Sequence, residues 1–265
     1  MALFTDQFVS DVSDLVAYEA NLPDVSAAEG IDLATKLRLA HVEIGAQLEA
    51  AAQGPGNIYF AHGSGWQSTG AETNPSRFTL NQVVVTPPLK LLHTFQTLAI
   101  VFRDAYNRKL NDKYLPKWKE YKELAQWARD LLFQTGIGVA SEPVPRPKPA
   151  VLDWVTSTLG GAALFARITW IGGQNKEGSG SAEQAINVPA NNALRVTPPE
   201  TPEGIAGWNV YIGASSGAIT RQNSAPLTPG AAWIQPETGL IAGEPLGDGQ
   251  PPDLFKTVPR FLQRG

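Results

Sequence analysis

The chain has 265 residues, 43% of them hydrophobic, a formal net charge of -4 and no cysteine. That length suits one large domain or two ordinary ones, and the lack of thiols excludes disulfides and thiolate metal sites and fits folding in a reducing cytoplasm. Three histidines leave little for a metal site, and no aliphatic run approaches the roughly eighteen residues of a spanning helix, so a soluble protein with no metal, no cofactor and no membrane association is expected.

Met1 to Asp14 carries Asp6, Asp11 and Asp14 and no basic residue, the opposite of a secretory leader. Charge is unevenly spread along the chain. Nine acids stand against Lys36 and Arg38 between Met1 and Glu49, whereas Arg103 to Arg129 holds eight bases against four acids. Complementarity within the chain is the first explanation; contacts between subunits of a ring, or a basic surface near DNA, are the others.

Phe4, Phe8, Val12 and Leu15 recur at helical spacing and predict a first helix over Phe4 to Ala20, capped by Thr5 and ended by Asn21-Leu22-Pro23. Leu33, Leu37, Ala40, Ile44 and Leu48 form the stripe of a longer second helix, capped by Ser26 or Asp32 and stopped by Gln53-Gly54-Pro55-Gly56. Gly54 to Pro88 holds Ile58-Tyr59-Phe60 but no sustained period, and a loop of that length is functional or ordered by neighbours.

Pro87-Pro88 opens a third helix, at positions whose N–H groups need no intrahelical partner, with Leu92, Phe95, Ala99, Phe102 and Tyr106 as its buried face. Asn111-Asp112 breaks the chain. Pro116 then fits the first turn of a fourth helix to about Thr135, closed by Gly136 and Gly138. Tyr114, Trp118, Tyr121, Ala125, Ala128 and Leu132 alternate at spacings of four and three, the seam of a helix packed lengthwise on others.

Glu142-Pro-Val-Pro-Arg-Pro-Lys-Pro149 is incompatible with a helix or a central strand and reads as a stiff spacer. The domain boundary falls there, giving a helical domain over 1–140, a linker over 141–150, a β domain over 151–240 and an extended arm over 241–265. Strands are predicted at Ala162 to Gly172, Glu183 to Val188, Ala193 to Val196, Gly207 to Ile212 and Ala231 to Ile234. The fold class is therefore α+β in two segregated domains, an N-terminal helical bundle and a C-terminal antiparallel β-sandwich. Leu254, Phe255 and Phe261 give the proline-rich arm an apolar edge that seeks a partner elsewhere.

Catalytic motifs find poor context. Gly213-Ala-Ser215-Ser-Gly217 matches the nucleophile-elbow pattern, yet no helix is predicted after Gly217 and no histidine follows His93, so a β-turn is the better reading. His62-Gly-Ser-Gly65 lacks a convincing preceding strand, and His41 and His93, each inside an amphipathic helix, read as packed imidazoles. No Walker-type loop or dinucleotide-binding glycine pattern is present. An enzyme is not expected, and there is no catalytic residue to name.

Val83-Val-Val-Thr-Pro-Pro-Leu-Lys-Leu-Leu-His-Thr-Phe, Tyr106-Asn-Arg-Lys-Leu-Asn-Asp-Lys-Tyr114, Lys117-Trp-Lys-Glu-Tyr121 and Gly136-Ile-Gly138 together resemble the helical neck proteins of tailed bacteriophages, in particular the head-tail connector or adaptor beneath the portal. Gly207-Trp-Asn-Val-Tyr-Ile-Gly213 is similar to the late strand of fibronectin-III or Ig-like modules appended to phage virion proteins. The resemblance implies a homo-oligomeric ring, commonly a dodecamer, between portal and tail in the virion neck and around double-stranded DNA that it contacts without reading sequence. Lys113, Lys117, Lys119 and Lys122 are the candidate DNA-channel or intersubunit surface, and Leu254, Phe255 and Phe261 the candidate arm for docking the portal or other neck and tail proteins. The alternative is a receptor- or carbohydrate-binding virion module on a helical stalk, motivated by Trp154, Trp170, Trp208 and Trp233 as surfaces for sugar rings.

Overall fold

A computed structural model describes residues 1–53, 78–109 and 112–258, and in it helices come first and antiparallel sheets follow. Two compact units divide the chain, Gln7–Val139 with the chain from Pro252 onward, and Met1–Asp6 with Ala140–Pro251. The chain leaves the helical unit after Val139, and the proline stretch falls within the other unit. Each unit also takes a piece from the opposite end of the sequence, so the chain passes between them three times.

The helical unit begins with α1 (Val12–Tyr18), shorter than the predicted helix. Asp11 closes a capping box with Asp14, which starts the helix later than Thr5 would. The apolar spacing upstream was misleading: Phe8 and Val12 stay 40% exposed, and Phe4 is buried in the other unit. Pro23 sits in the first turn of α2 (Leu22–Glu29) instead of ending a helix, and α2 stops at Gly30, left-handed at φ 60°. Asp32 caps the next helix, α3 (Leu33–Gln53), through the Ala34 N–H at 3.1 Å, as predicted.

Two further long helices, α4 (Pro87–Lys109) and α5 (Leu115–Thr135), are joined through a 3-10 turn at Asp112–Tyr114. The predicted seam is buried at Tyr114, Tyr121, Ala125, Ala128 and Leu132, while Trp118 is half-buried and stacks on Tyr106 at 5.8 Å. Phe102 stacks on Tyr121 at 5.5 Å, so aromatic rings fill the space between α4 and α5. After α5 the chain forms β1 (Ile137–Val139), which pairs antiparallel with the last strand, β9 (Leu254–Lys256).

In the other unit β2 (Val151–Thr156), β5 (Asn192–Thr197) and β8 (Trp233–Ile234) form one sheet in the order β2-β5-β8. A second sheet orders β4 (Gln184–Val188), β3 (Ala162–Ile171), β6 (Gly207–Gly213) and β7 (Thr220–Arg221) as β4-β3-β6-β7. Ile168, Trp170, Trp208 and Val210 from one sheet share a core with Leu194, Val196 and Trp233 from the other, which makes the pair a sandwich. All pairings between neighbouring strands are antiparallel.

The proline stretch is not a free spacer. Alternating prolines leave few N–H groups, and two of these are taken by side chains of this unit: Val144 N–H donates to Gln250 Oε1 at 2.9 Å and Arg146 N–H to Asp6 Oδ1 at 3.0 Å. The Val144 side chain lies in the sandwich core. Gln250, fully buried, also donates to the Glu142 carbonyl at 2.9 Å, which ties in part of the segment expected to be an arm. The remainder of that segment supplies β9 to the helical unit.

The β1–β9 pair depends on glycine at Gly138. A Cβ there would lie 2.8 Å from Thr86 Cγ2 and 3.1 Å from Pro252 Cβ, with no room for either to yield freely. Gly138→Ala is expected to lower stability in urea unfolding by about 1–3 kcal/mol, whereas Gly160→Ala, with open space around the new methyl, stays within about 0.5 kcal/mol. Equal behaviour of the two variants would remove the packing role of Gly138.

Candidate interaction surfaces

Part of the uneven charge of the sequence is matched inside the helical unit. Asp14 meets Lys90 at 2.7 Å, Glu19 meets Lys117 at 3.1 Å, and the Glu29 carbonyl accepts from Arg108 at 2.6 Å. Tyr114 and Tyr121 donate their hydroxyls to Glu29 at 3.2 Å and Glu19 at 2.9 Å. Lys36 pairs with Asp104 at 2.8 Å in the reverse sense. The acidic early helices are thus held against the basic later ones by their own chain.

The four candidate lysines do not all share a surface. At about 100° per residue Lys119 and Lys122, three residues apart, lie on neighbouring sides of α5 about 60° apart, whereas Lys117 points roughly 140–160° away from both. Lys117 bridges Glu19 and Glu120, and the hydrogen bond to Glu19 raises its pKa. Lys113 sits over the Tyr114 ring at 5.5 Å. Lys119 is exposed, and Lys122 lines a groove between α4 and α5.

That groove brings Lys122 together with Arg103 of α4 and Arg129 of α5, in a volume of about 380 Å³. Gln47, Gln96, Gln126 and Trp118 complete its polar and aromatic walls, and Leu92, Ala99, Ile100 and Ala125 form its apolar base. No carboxylate lines it; the nearby Glu43 accepts from Gln96 at 2.6 Å, and Arg129 approaches Asp130 only at 3.7 Å. Among the described residues Arg103 and Lys122 have no ion-pair partner. A second depression, of about 410 Å³, lies on α5 along Glu123, Gln126, Trp127, Asp130, Leu131 and Gln134. Neither was evident from sequence, because Arg103 comes from a different helix and the acids of the second depression are interspersed with the bases of the first.

Of the arm residues, Leu254 and Phe255 belong to β9 and keep 37% and 58% of their surface exposed. Phe261 lies outside the described residues, as do Ile58-Tyr59-Phe60 and His62-Gly-Ser-Gly65. Trp170, Trp208 and Trp233 are core residues, and of the four tryptophans considered for sugar stacking Trp154 alone is exposed, at 48%. Ser215 lies in the β6–β7 turn, where the Ala218 N–H donates to its carbonyl at 3.2 Å and Glu183 accepts from the Gly217 N–H at 3.0 Å.

His41 on α3 and His93 on α4, distant in sequence, stack edge to face with ring centroids 5.9 Å apart. His93 Nδ1 is 2.6 Å from Ser10 Oγ. Among the described residues no group of three or more His, Asp or Glu could hold a metal ion. No described helix is long and apolar enough to cross a membrane.

Fold and surfaces define an α+β protein whose helical unit carries a cationic groove and an acidic, aromatic depression on one helix. The sequence matches no protein-family model and no curated protein.

Burial, reinforced by the neighbouring His41, pushes the His93 pKa down to about 4, while Asp14 and the Leu37 backbone act weakly against it. The neutral ring therefore stabilises the fold fully above its unfolded value near 6.5. As pH falls from 6.5 to about 4 the unfolded chain takes up a proton that the folded one resists, and stability drops by on the order of 3 kcal/mol. Urea midpoints measured across that window are expected to slope in wild type and to flatten markedly in His93→Asn; an unchanged slope would assign the acid sensitivity to other groups.

Proposed function

We propose that the protein is a structural virion component of a tailed bacteriophage, a head-tail connector that assembles as a ring between portal and tail and surrounds the DNA path. The observation that carries this reading is the pair of long, lengthwise-packed helices α4 and α5, whose sequence holds most of the resemblance to phage neck proteins and whose outer sides bear two chemically different surfaces. Dissimilar surfaces on one subunit suit head-to-tail association, which closes into a ring when the rotation allows it. The dodecamer is the expected ring size, and assembly takes place in the host cytoplasm. The basic groove then meets a neighbouring subunit or the DNA backbone, and Leu254 and Phe255 offer an apolar edge to the portal or another neck protein.

The sandwich is read as an appended Ig-like or fibronectin-III-like module. Its exposed Trp154 is the remaining support for the alternative, in which the module binds a carbohydrate or receptor.

Mass photometry of the full-length protein, alone and with portal protein over a range of salt, tests the connector reading. A closed ring or a portal-dependent complex that weakens with salt is expected. A monomer at every concentration that ignores portal would dismiss it.

A further inference from the structure

Trp127 leaves 53% of its surface in solvent, at the centre of the depression formed by Glu123, Asp130 and Leu131. An exposed indole between two carboxylates is unusual on a helix whose opposite flank carries cations. At 3.6 residues per turn, Trp127 and the Lys122–Arg129 row point about 150° apart on α5. The helix thus presents an anionic aromatic side and a cationic side at the same height.

The groove has the features needed to receive that side. Its base is apolar at Leu92 and Ile100, Trp118 supplies an aromatic wall, and Arg103, Lys122 and Arg129 stand at its rim. An indole seated on the base would bury its ring against aliphatic and aromatic carbon, and Glu123 and Asp130 beside it would face the rim cations. Docking would take the exposed half of Trp127 out of water, and tryptophan and arginine are both among the residues enriched where binding energy concentrates.

We infer that the α4–α5 groove is the docking site for the Trp127 side of α5 on a second copy of this chain. The contact is heterologous: each copy uses the Trp127 side toward one neighbour and the groove toward the other, so copies add head to tail. This rests on the ring reading and names the interface that builds it. Arg103, Lys122 and Arg129 are then contacts between subunits rather than a lining of the DNA path.

The test uses full-length protein and three sets of substitutions, with assembly followed by mass photometry and folding checked by circular dichroism. Trp127→Ala is expected to weaken self-association about 30-fold or more. Arg103→Glu with Lys122→Glu reverses the groove, and Glu123→Lys with Asp130→Lys reverses the opposite side; each double variant alone is expected to stay monomeric. Mixed in equal amounts they regain association, because each reversed surface meets a partner of opposite sign. A wild-type chain that is monomeric at all concentrations overturns both the ring reading and this interface. Rings that form normally in the Trp127 and charge-reversed variants overturn the interface alone, as does a mixture that stays monomeric. Groove variants that assemble but fail to retain packaged DNA would assign Arg103 and Lys122 to the DNA path and overturn the docking.

Discussion

Everything in the helical unit is arranged around the burial of α4. Leu89, Leu98, Val101 and Ala105 are fully enclosed, and Leu92, Phe95, Ile100 and Phe102 nearly so. Each such side chain contributes about 1.5–3 kcal/mol on leaving water, more than any ion pair at the periphery. A helix enclosed on so many sides must also satisfy its buried polar atoms. Thr94 and Thr97 return their hydroxyls to carbonyls one turn back, at 2.9 and 2.7 Å, and His93 meets Ser10 through Nδ1 while its Nε2 is buried without a hydrogen-bond partner among the described residues. The low dielectric that makes the aliphatic packing favourable is the same condition that keeps His93 neutral.

The surrounding helices then have little choice about where their charges go. Asp14 and Glu19 lie where Lys90 and Lys117 can pair with them, and Arg108 reaches the backbone carbonyl of Glu29, so part of the acidic start of the sequence is met by later helices at the rim of the core. Two further groups of charge are informative. Arg103, Lys122 and Arg129 collect on one flank of the α4–α5 pair, while Glu123 and Asp130 flank Trp127 on another. Net charge conceals both, because they nearly cancel.

The long helices were legible because their apolar residues recur with the helical period over five or more turns, and Tyr121, Ala125, Ala128 and Leu132 are buried as that period requires. The longer strands, β3 and β6, were legible for the corresponding reason, runs of β-branched and aromatic residues closed by glycine. Short elements escaped. β1 and β9 have three residues each and pack closely because Gly136 leaves room for Phe255 and Gly138 for Thr86 and Pro252, a condition no local pattern announces. β2 places apolar residues on both faces, as Val151, Leu152, Trp154 and Val155, so its alternation is indistinct. The role of the proline stretch depended on Asp6 and Gln250, which lie more than a hundred residues away. Lys117 points well away from Lys119 and Lys122 on α5, and the cation that joins Lys122 in the groove from another helix, Arg103, is supplied by packing between helices.

Interleaving of the two units along the chain constrains how function is distributed. A sandwich cut from sequence at 151 and 240 would lose Val144 from its core and the Gln250 clamp, and the helical unit cut at 140 would lose the partner of β1. Neither unit is therefore one continuous stretch of the chain. A chain that returns to each unit after visiting the other couples the stability of both to its ends, whereas a module carried on a single linker would be free of that coupling.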